Sequence, residues 1–215
     1  MLVEVGYYYY NGSDYPASYC NNYDPTFSDS HFSTRPSLYV ELDSAYAIGG
    51  AEYYTLESAV NHASDGDTIK LLRDYTDTSS GTINKNVTLD LQTYTLTRDK
   101  TITVNSGVTA TITGSTGSKL TTETTNLNTI TNAGTLTIDG SVTIEHNGTN
   151  TNYYAINNGT AGAILNVKSG TIKSATYGIY NNTSTAVTNI GDSTATISTT
   201  NPQISGGTYV VYNNS

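Results

Sequence analysis

The chain has 215 residues, enough for one domain with a substantial core or for one domain with a small appendage. Its 9 lysines and arginines against 18 aspartates and glutamates give a net charge of −9, which argues against partners such as nucleic acid or an anionic membrane surface. Only 13% of the residues are charged. The sequence contains no run of about 18 apolar residues, so no membrane-spanning helix is predicted. The single cysteine, Cys20, excludes an internal disulfide and a zinc cluster.

Residues 1–37 form a tyrosine-rich zone with three of the four prolines. One strand is predicted near Leu2–Tyr9. Loops are predicted after it, because dipeptides of Asn, Asp and Pro favour turns. The zone is an N-terminal segment or the end of a preceding domain. Its first ten residues lack the pattern of a signal peptide, and the chain reads as a fragment of a larger protein.

Residues 38–67 form a connector strand and a capping helix. The alternation over Leu38–Ile48 predicts a strand that Gly49-Gly50 ends. Leu56–Ala63 carries one apolar stripe at helical spacing, with Thr55 placed to cap its N-terminus. We expect this helix to act as a lid over the core of the domain that follows.

Residues 68–215 repeat in three series of short alternating strands, with twenty to thirty residues per cycle. Because the series recur in the same order, we predict three stacked sheets: an all-β, right-handed parallel β-helix. The last members of the first series are Leu91, Ile112, Ile138 and Val167. The second series runs through Leu96, Leu120, Ile144, Ile172 and Ile204, and the third through Ile130, Ile156, Ile179 and Val211.

The third series carries an asparagine-rich corner. Stacked asparagines can hydrogen-bond along the stack, so a structural ladder is the favoured interpretation over a binding role. Tyr180 and Tyr212 are predicted to point outward beside this corner as an aromatic binding surface, whereas three further tyrosines are expected inside or at the rim. The corner asparagines are Asn132, Asn158, Asn181 and Asn213; the further tyrosines are Tyr154, Tyr177 and Tyr209.

Four segments within residues 47–97 carry a family resemblance: 47–60, 66–74, 83–91 and 94–97. They resemble the opening of pectin-lyase-like right-handed β-helix domains in large surface proteins of Gram-positive gut bacteria. The resemblance implies the fold, the capping helix and a location outside the cell or on its surface. It does not imply one function, because such domains occur in adhesins, in repetitive wall proteins and beside carbohydrate-active modules.

Catalytic candidates are few. Glycoside hydrolysis needs two carboxylates roughly 5–9 Å apart. Asp139 and Glu145 are the nearest pair in sequence, with Glu123 one coil below. Coils stack at about 4.8 Å, so a pair across coils is feasible. Nothing beyond proximity marks these residues, and solvated surface carboxylates are the favoured interpretation.

No cofactor is predicted. Asp65-Gly66-Asp67 could contribute to a calcium site, but it lacks the further ligands of an EF-hand loop, and a turn that stops the helix is favoured. His31, His62 and His146 are isolated in the sequence and predict no metal site.

Three functions follow from this pattern. The favoured one is a non-enzymatic extracellular surface module, adhesin-like or a structural spacer, that presents a β-helix face to a glycan or to a host or cell-surface protein. The second is a self-assembling extracellular filament subunit. The third is a carbohydrate-active enzyme or a phage tailspike-like protein that processes polysaccharide.

Overall fold

A computed structural model of the chain describes residues 2–5, 7–10, 13–16, 38–41, 43–122, 124, 126–191 and 202–214. The chain divides into two compact units, Met1–Asp43 and Ser44–Ser215. The described strands of the first unit are β1 (Leu2–Val5), β2 (Tyr7–Tyr10), β3 (Ser13–Pro16) and β4 (Leu38–Glu41).

Two strand predictions in this part of the chain were wrong. The single strand expected near Leu2–Tyr9 is two strands, because β1 pairs antiparallel with β4 while β2 pairs antiparallel with β3. The single strand expected over Leu38–Ile48 is also two, since β4 pairs in the first unit and Tyr46–Ile48 joins a sheet of the second. Alternation alone cannot show where a strand changes its partner.

The second unit is a parallel β-solenoid of three sheets, which confirms the predicted fold class. The first sheet holds β7 (Thr68–Leu71), β10 (Thr88–Asp90), β13 (Thr109–Thr113), β16 (Thr135–Ile138), β19 (Ile164–Val167) and β22 (Val187–Ile190), extended by the antiparallel hairpin β5 (Tyr46–Ile48) and β6 (Ala51–Tyr53). The second holds β8 (Tyr75–Asp77), β11 (Thr95–Arg98), β14 (Lys119–Thr122), β17 (Thr143–His146), β20 (Thr171–Ser174) and β23 (Gln203–Gly206). The third holds β9 (Thr82–Ile83), β12 (Ile102–Val104), β15 (Ile130–Asn132), β18 (Tyr154–Asn157), β21 (Tyr177–Asn181) and β24 (Tyr209–Asn213).

The core consists of aliphatic columns contributed by all three sheets. In the first sheet, five residues in consecutive register are fully buried: Ile69, Leu89, Ile112, Ile138 and Val167. The next member, Ile190, is 51% exposed. The predicted first series was wrong in its first member, because Leu89 rather than Leu91 lies in register with Ile112. The predicted second and third series form matching columns. Burial of repeated Ile and Leu side chains therefore fixes the register of the coils.

The predicted helix is present as α1 (Leu56–His62). Thr55 caps it by accepting a hydrogen bond from the Ser58 amide at 3.1 Å. Leu56, Ala59 and Val60 are buried in the same core cluster as the solenoid columns, as the apolar stripe predicted. Within the described ranges, no helix is both long and apolar enough to cross a membrane.

Candidate functional site

Five tyrosines gather on the third sheet in two rows. The first row is Tyr154, Tyr177 and Tyr209, matched across β18, β21 and β24, and the second is Tyr180 and Tyr212, matched across β21 and β24. Beneath these rows, Ile156, Ile179 and Val211 form the aliphatic column of the same strands. We call these five tyrosines the tyrosine face.

The rings of the tyrosine face stack on one another. Tyr154 and Tyr180 have ring centroids 4.2 Å apart and planes 14° from parallel. Tyr180 and Tyr212 are stacked at 5.6 Å and 8°, and Tyr177 and Tyr209 at 5.4 Å and 18°. Tilted contacts of Tyr212 with Tyr177 and Tyr209 join the two rows, and an edge contact joins Tyr154 to Tyr177 within the first row. All five rings therefore form one continuous cluster.

Amides and hydroxyls border the face. The Tyr180 hydroxyl donates to Asn182 Oδ1 at 2.8 Å and accepts from Asn214 Nδ2 at 3.1 Å. Burial, followed by the neighbouring Tyr180, raises the pKa of Tyr154 to about 12. Tyr209 is the most open ring, at 48% exposed. Tyr154, Tyr177 and Tyr209 were expected inside or at the rim. Tyr154 and Tyr177 are half-buried, as at a rim, whereas Tyr209 is exposed and that expectation was wrong.

The asparagine corner is a continuous hydrogen-bonded column, which we call the asparagine ladder. Asn132 Nδ2 donates to Asn158 Oδ1 at 2.8 Å, Asn158 Nδ2 to Asn181 Oδ1 at 3.0 Å, and Asn181 Nδ2 to Asn213 Oδ1 at 2.6 Å. The first two amides also donate at 2.9 Å to backbone carbonyls of the first sheet, on Ile164 and Val187. Asn132 and Asn158 have no exposed surface, so the inner ladder serves the solenoid's own backbone.

Sequence reasoning missed a second polar column at the corner between the second and third sheets. Five polar side chains follow one another there in register: Asp77, Arg98, Thr122, His146 and Ser174. All five are buried. We call them the mixed polar column; no residue type repeats along it, so the sequence offers no periodic signal.

Asp77 and Arg98 form a fully buried ion pair, with Nη1 and Oδ1 3.1 Å apart. Asp77 Oδ2 also accepts from the Tyr46 hydroxyl and from the Leu56 amide, each at 2.7 Å. Burial alone would raise the pKa of Asp77, but hydrogen bonds from Ser79, Leu56 and Tyr46 outweigh it and lower that pKa. The carboxylate therefore ties the first turn of α1 to the first two coils.

The predicted catalytic carboxylates have separate partners. Glu145 Oε2 lies 2.8 Å from Lys119 Nζ, and Glu145 Oε1 lies 2.6 Å from Lys173 Nζ. Although burial raises the pKa of Glu145, these two lysines outweigh it and lower the pKa, so the group stays ionised. Asp139 Oδ1 instead accepts from the Gly140 amide and the Ser169 hydroxyl, both at 2.8 Å. Glu123 lies outside the described residues.

The aspartates proposed for calcium serve the turn that follows α1. Asp67 Oδ2 accepts from the Ser64 amide at 2.7 Å. Asp65 binds the amide and side chain of Asn86, each at 2.9 Å. In the described part of the chain, no three His, Cys, Asp or Glu side chains are grouped to hold a metal ion.

Comparison with family models, with curated proteins and with solved structures found no match to this chain. The likeness of residues 47–97 to pectin-lyase-like domains therefore stays a prediction, while the parallel β-solenoid itself is present in the structure.

Proposed function

We propose that this chain is a non-enzymatic extracellular surface module that binds a neutral glycan through its tyrosine face. The observation that carries the proposal is the cluster of five tyrosine rings on one sheet, bordered by the amides of Asn182 and Asn214. The face holds no cation, and the chain has a net charge of −9, so an anionic polysaccharide is disfavoured.

Stacking prepares the face for binding. Because neighbours hold each ring in place, little side-chain freedom remains to be lost when a ligand binds. The stacked rings partly cover one another's planes, which leaves ring edges, phenolic oxygens and amides for contact. Those groups match the hydroxyl-rich surface of a sugar chain, since tyrosine and asparagine both donate and accept hydrogen bonds.

Two further observations support a non-enzymatic surface role. Glu145 is ionised between two lysines, which suits an electrostatic brace better than a general acid. The charged fraction of 13% is low, and the resemblance of residues 47–97 points to surface proteins.

The test is a neutral-glycan array probed with the full chain and with the Tyr180→Ala/Tyr212→Ala double variant. Truncating an anchor residue at a binding hot spot costs about 2 kcal/mol or more, so we expect Kd for the bound glycan to rise at least about thirtyfold. Tyr54→Ala removes a tyrosine outside the face and should leave Kd unchanged. Circular dichroism of each variant checks that the solenoid is retained.

Several outcomes would overturn the proposal. The full chain could bind no glycan, or both variants could bind as the full chain does. Capture of a host protein in place of a glycan would favour the protein-contact alternative, and products released from a polysaccharide would favour the carbohydrate-active one.

A further inference from the structure

Tyrosine is the most readily oxidised side chain in the described part of the protein. The chain has no tryptophan, one cysteine and one methionine, against 19 tyrosines. The cysteine, Cys20, and the methionine, Met1, both lie outside the described residues. A one-electron oxidant that reaches the solenoid therefore meets phenols rather than thiols, thioethers or indoles.

The tyrosine face brings these phenols together from three successive coils. Tyr154 is on β18, Tyr177 and Tyr180 are on β21, and Tyr209 and Tyr212 are on β24. Six ring pairs have centroids 4.2 to 5.7 Å apart. Tyr209, at 48% exposed, offers an entry point for oxidation, and ring contacts lead from it to the less exposed members.

We propose that the tyrosine face is a site of oxidative dityrosine cross-linking between coils, with Tyr154–Tyr180 as the main product. This pair has the closest rings of the cluster, 4.2 Å between centroids. The link would join β18 to β21 covalently. It would fasten neighbouring coils as a disulfide fastens a loop, in a chain whose single cysteine cannot form one internally.

The oxidant required is hydrogen peroxide used by a haem peroxidase. Each of two phenols gives up one electron and its hydroxyl proton and becomes a phenoxyl radical. The two electrons and two protons reduce one hydrogen peroxide to two water molecules. The radicals then join through the ring carbons beside their oxygens, and the hydrogen on each joined carbon moves to oxygen to restore the two phenols.

The proposal is independent of glycan binding and is tested on the full chain treated with peroxidase and hydrogen peroxide. We expect dityrosine fluorescence in a monomeric product whose intact mass is lower by two hydrogens per link. Trypsin cuts after Lys119, Lys168 and Lys173, which separates Tyr154 from Tyr180. The main cross-linked species should therefore join peptide 120–168 to peptide 174–215, and fragmentation should place the link on those two tyrosines.

Phenylalanine variants supply the controls, because phenylalanine keeps the ring but lacks the phenol. Tyr154→Phe should abolish the joined peptides, and Tyr180→Phe should remove the main joined species. Tyr153→Phe, at the chain neighbour in the same peptide, should leave their yield unchanged. The proposal is overturned if the folded chain forms no such link, if the link maps to Tyr153, or if cross-links form only between chains.

Discussion

The asparagine ladder and the mixed polar column both place polar side chains inside the solenoid, at the two corners that border the third sheet. The ladder repeats one neutral residue, and Asn158 and Asn181 each donate to the next coil while they accept from the one before. The mixed column changes residue at every coil and begins with a buried ion pair. A neutral amide can therefore find the same hydrogen-bond partner on successive coils, whereas a buried ion pair forms only where an acidic and a basic side chain face each other.

The difference shows where each column acts. The ladder bonds successive coils and reaches the first sheet through Ile164 and Val187. The charged end of the mixed column instead gathers Tyr46 and Leu56 onto Asp77, and so joins the first coils to the hairpin and to α1. We infer that the ladder stabilises the stack of coils. The ion pair holds the hairpin and α1, which together we call the capping segment, against the first coils.

The largest effect is expected from Arg98→Met. This change leaves Asp77 buried without its cation, and breaking a buried pair costs about 3–5 kcal/mol in the free energy of unfolding. Urea unfolding followed by circular dichroism measures the loss, and hydrogen exchange in α1 should rise with it.

Two controls separate the buried charge from the loss of a long side chain. The double variant Asp77→Asn/Arg98→Met removes both charges and should recover part of the loss, as a double-mutant cycle would show. Lys70→Met removes an exposed cation and should change stability by less than about 0.5 kcal/mol. If Arg98→Met costs no more than Lys70→Met, the ion pair does not hold the capping segment.

The contrast between the two columns also explains what the sequence could predict. The three sheets and the asparagine ladder were predictable because Ile, Leu and Asn recur at matching positions, and a repeat aligns the coils without knowledge of their contacts. Asp77 and Arg98 carry no such signal, since the residues above them are Thr122, His146 and Ser174. One partner, the hydroxyl of Tyr46, comes from 31 residues earlier in the chain.

The tyrosine face was predicted only in part, for a local reason. Strict alternation places Tyr154 and Tyr177 on the same side as Ile156 and Ile179. In β18, however, Ala155 and Ile156 are both buried, and the tyrosine before them is half-buried. The same break in β21 brings Tyr177 beside the outward row of Tyr180 and Tyr212. Two consecutive buried residues cannot be inferred from a period of two.

A smaller effect is expected from Asn158→Leu, which interrupts the ladder at a similar side-chain volume. The change removes the bonds to Asn181 and to the Val187 carbonyl, and a buried polar group left unpaired costs about 1–3 kcal/mol. The matched control is Asn213→Leu, at an exposed member of the ladder, which should cost under about 0.5 kcal/mol. If both variants lower the urea midpoint equally, the ladder does not stabilise the solenoid mainly through its buried asparagines.

The smallest effect concerns pH, because only the mixed column contains a group that titrates near neutrality. Burial lowers the pKa of His146, so the folded chain keeps this side chain neutral where the unfolded chain binds a proton, below about pH 6.5. Stability is therefore complete above that pH and falls as the pH drops below it. The pKa of the Asp77 carboxyl is also lowered, and its contribution is lost only below about pH 4.

The free energy of unfolding in urea, measured between pH 7 and pH 5, separates the effect of His146 from that of the carboxylates, which titrate at lower pH. His146→Thr copies the residue that the coil below has at the same register, Thr122, and should flatten the pH dependence. Asn158→Leu should lower stability by the same amount at both pH values, because the ladder has no titrating side chain. If the stability of His146→Thr depends on pH as strongly as that of the unchanged chain, another group causes the acid sensitivity, and the two columns do not differ in their response to pH.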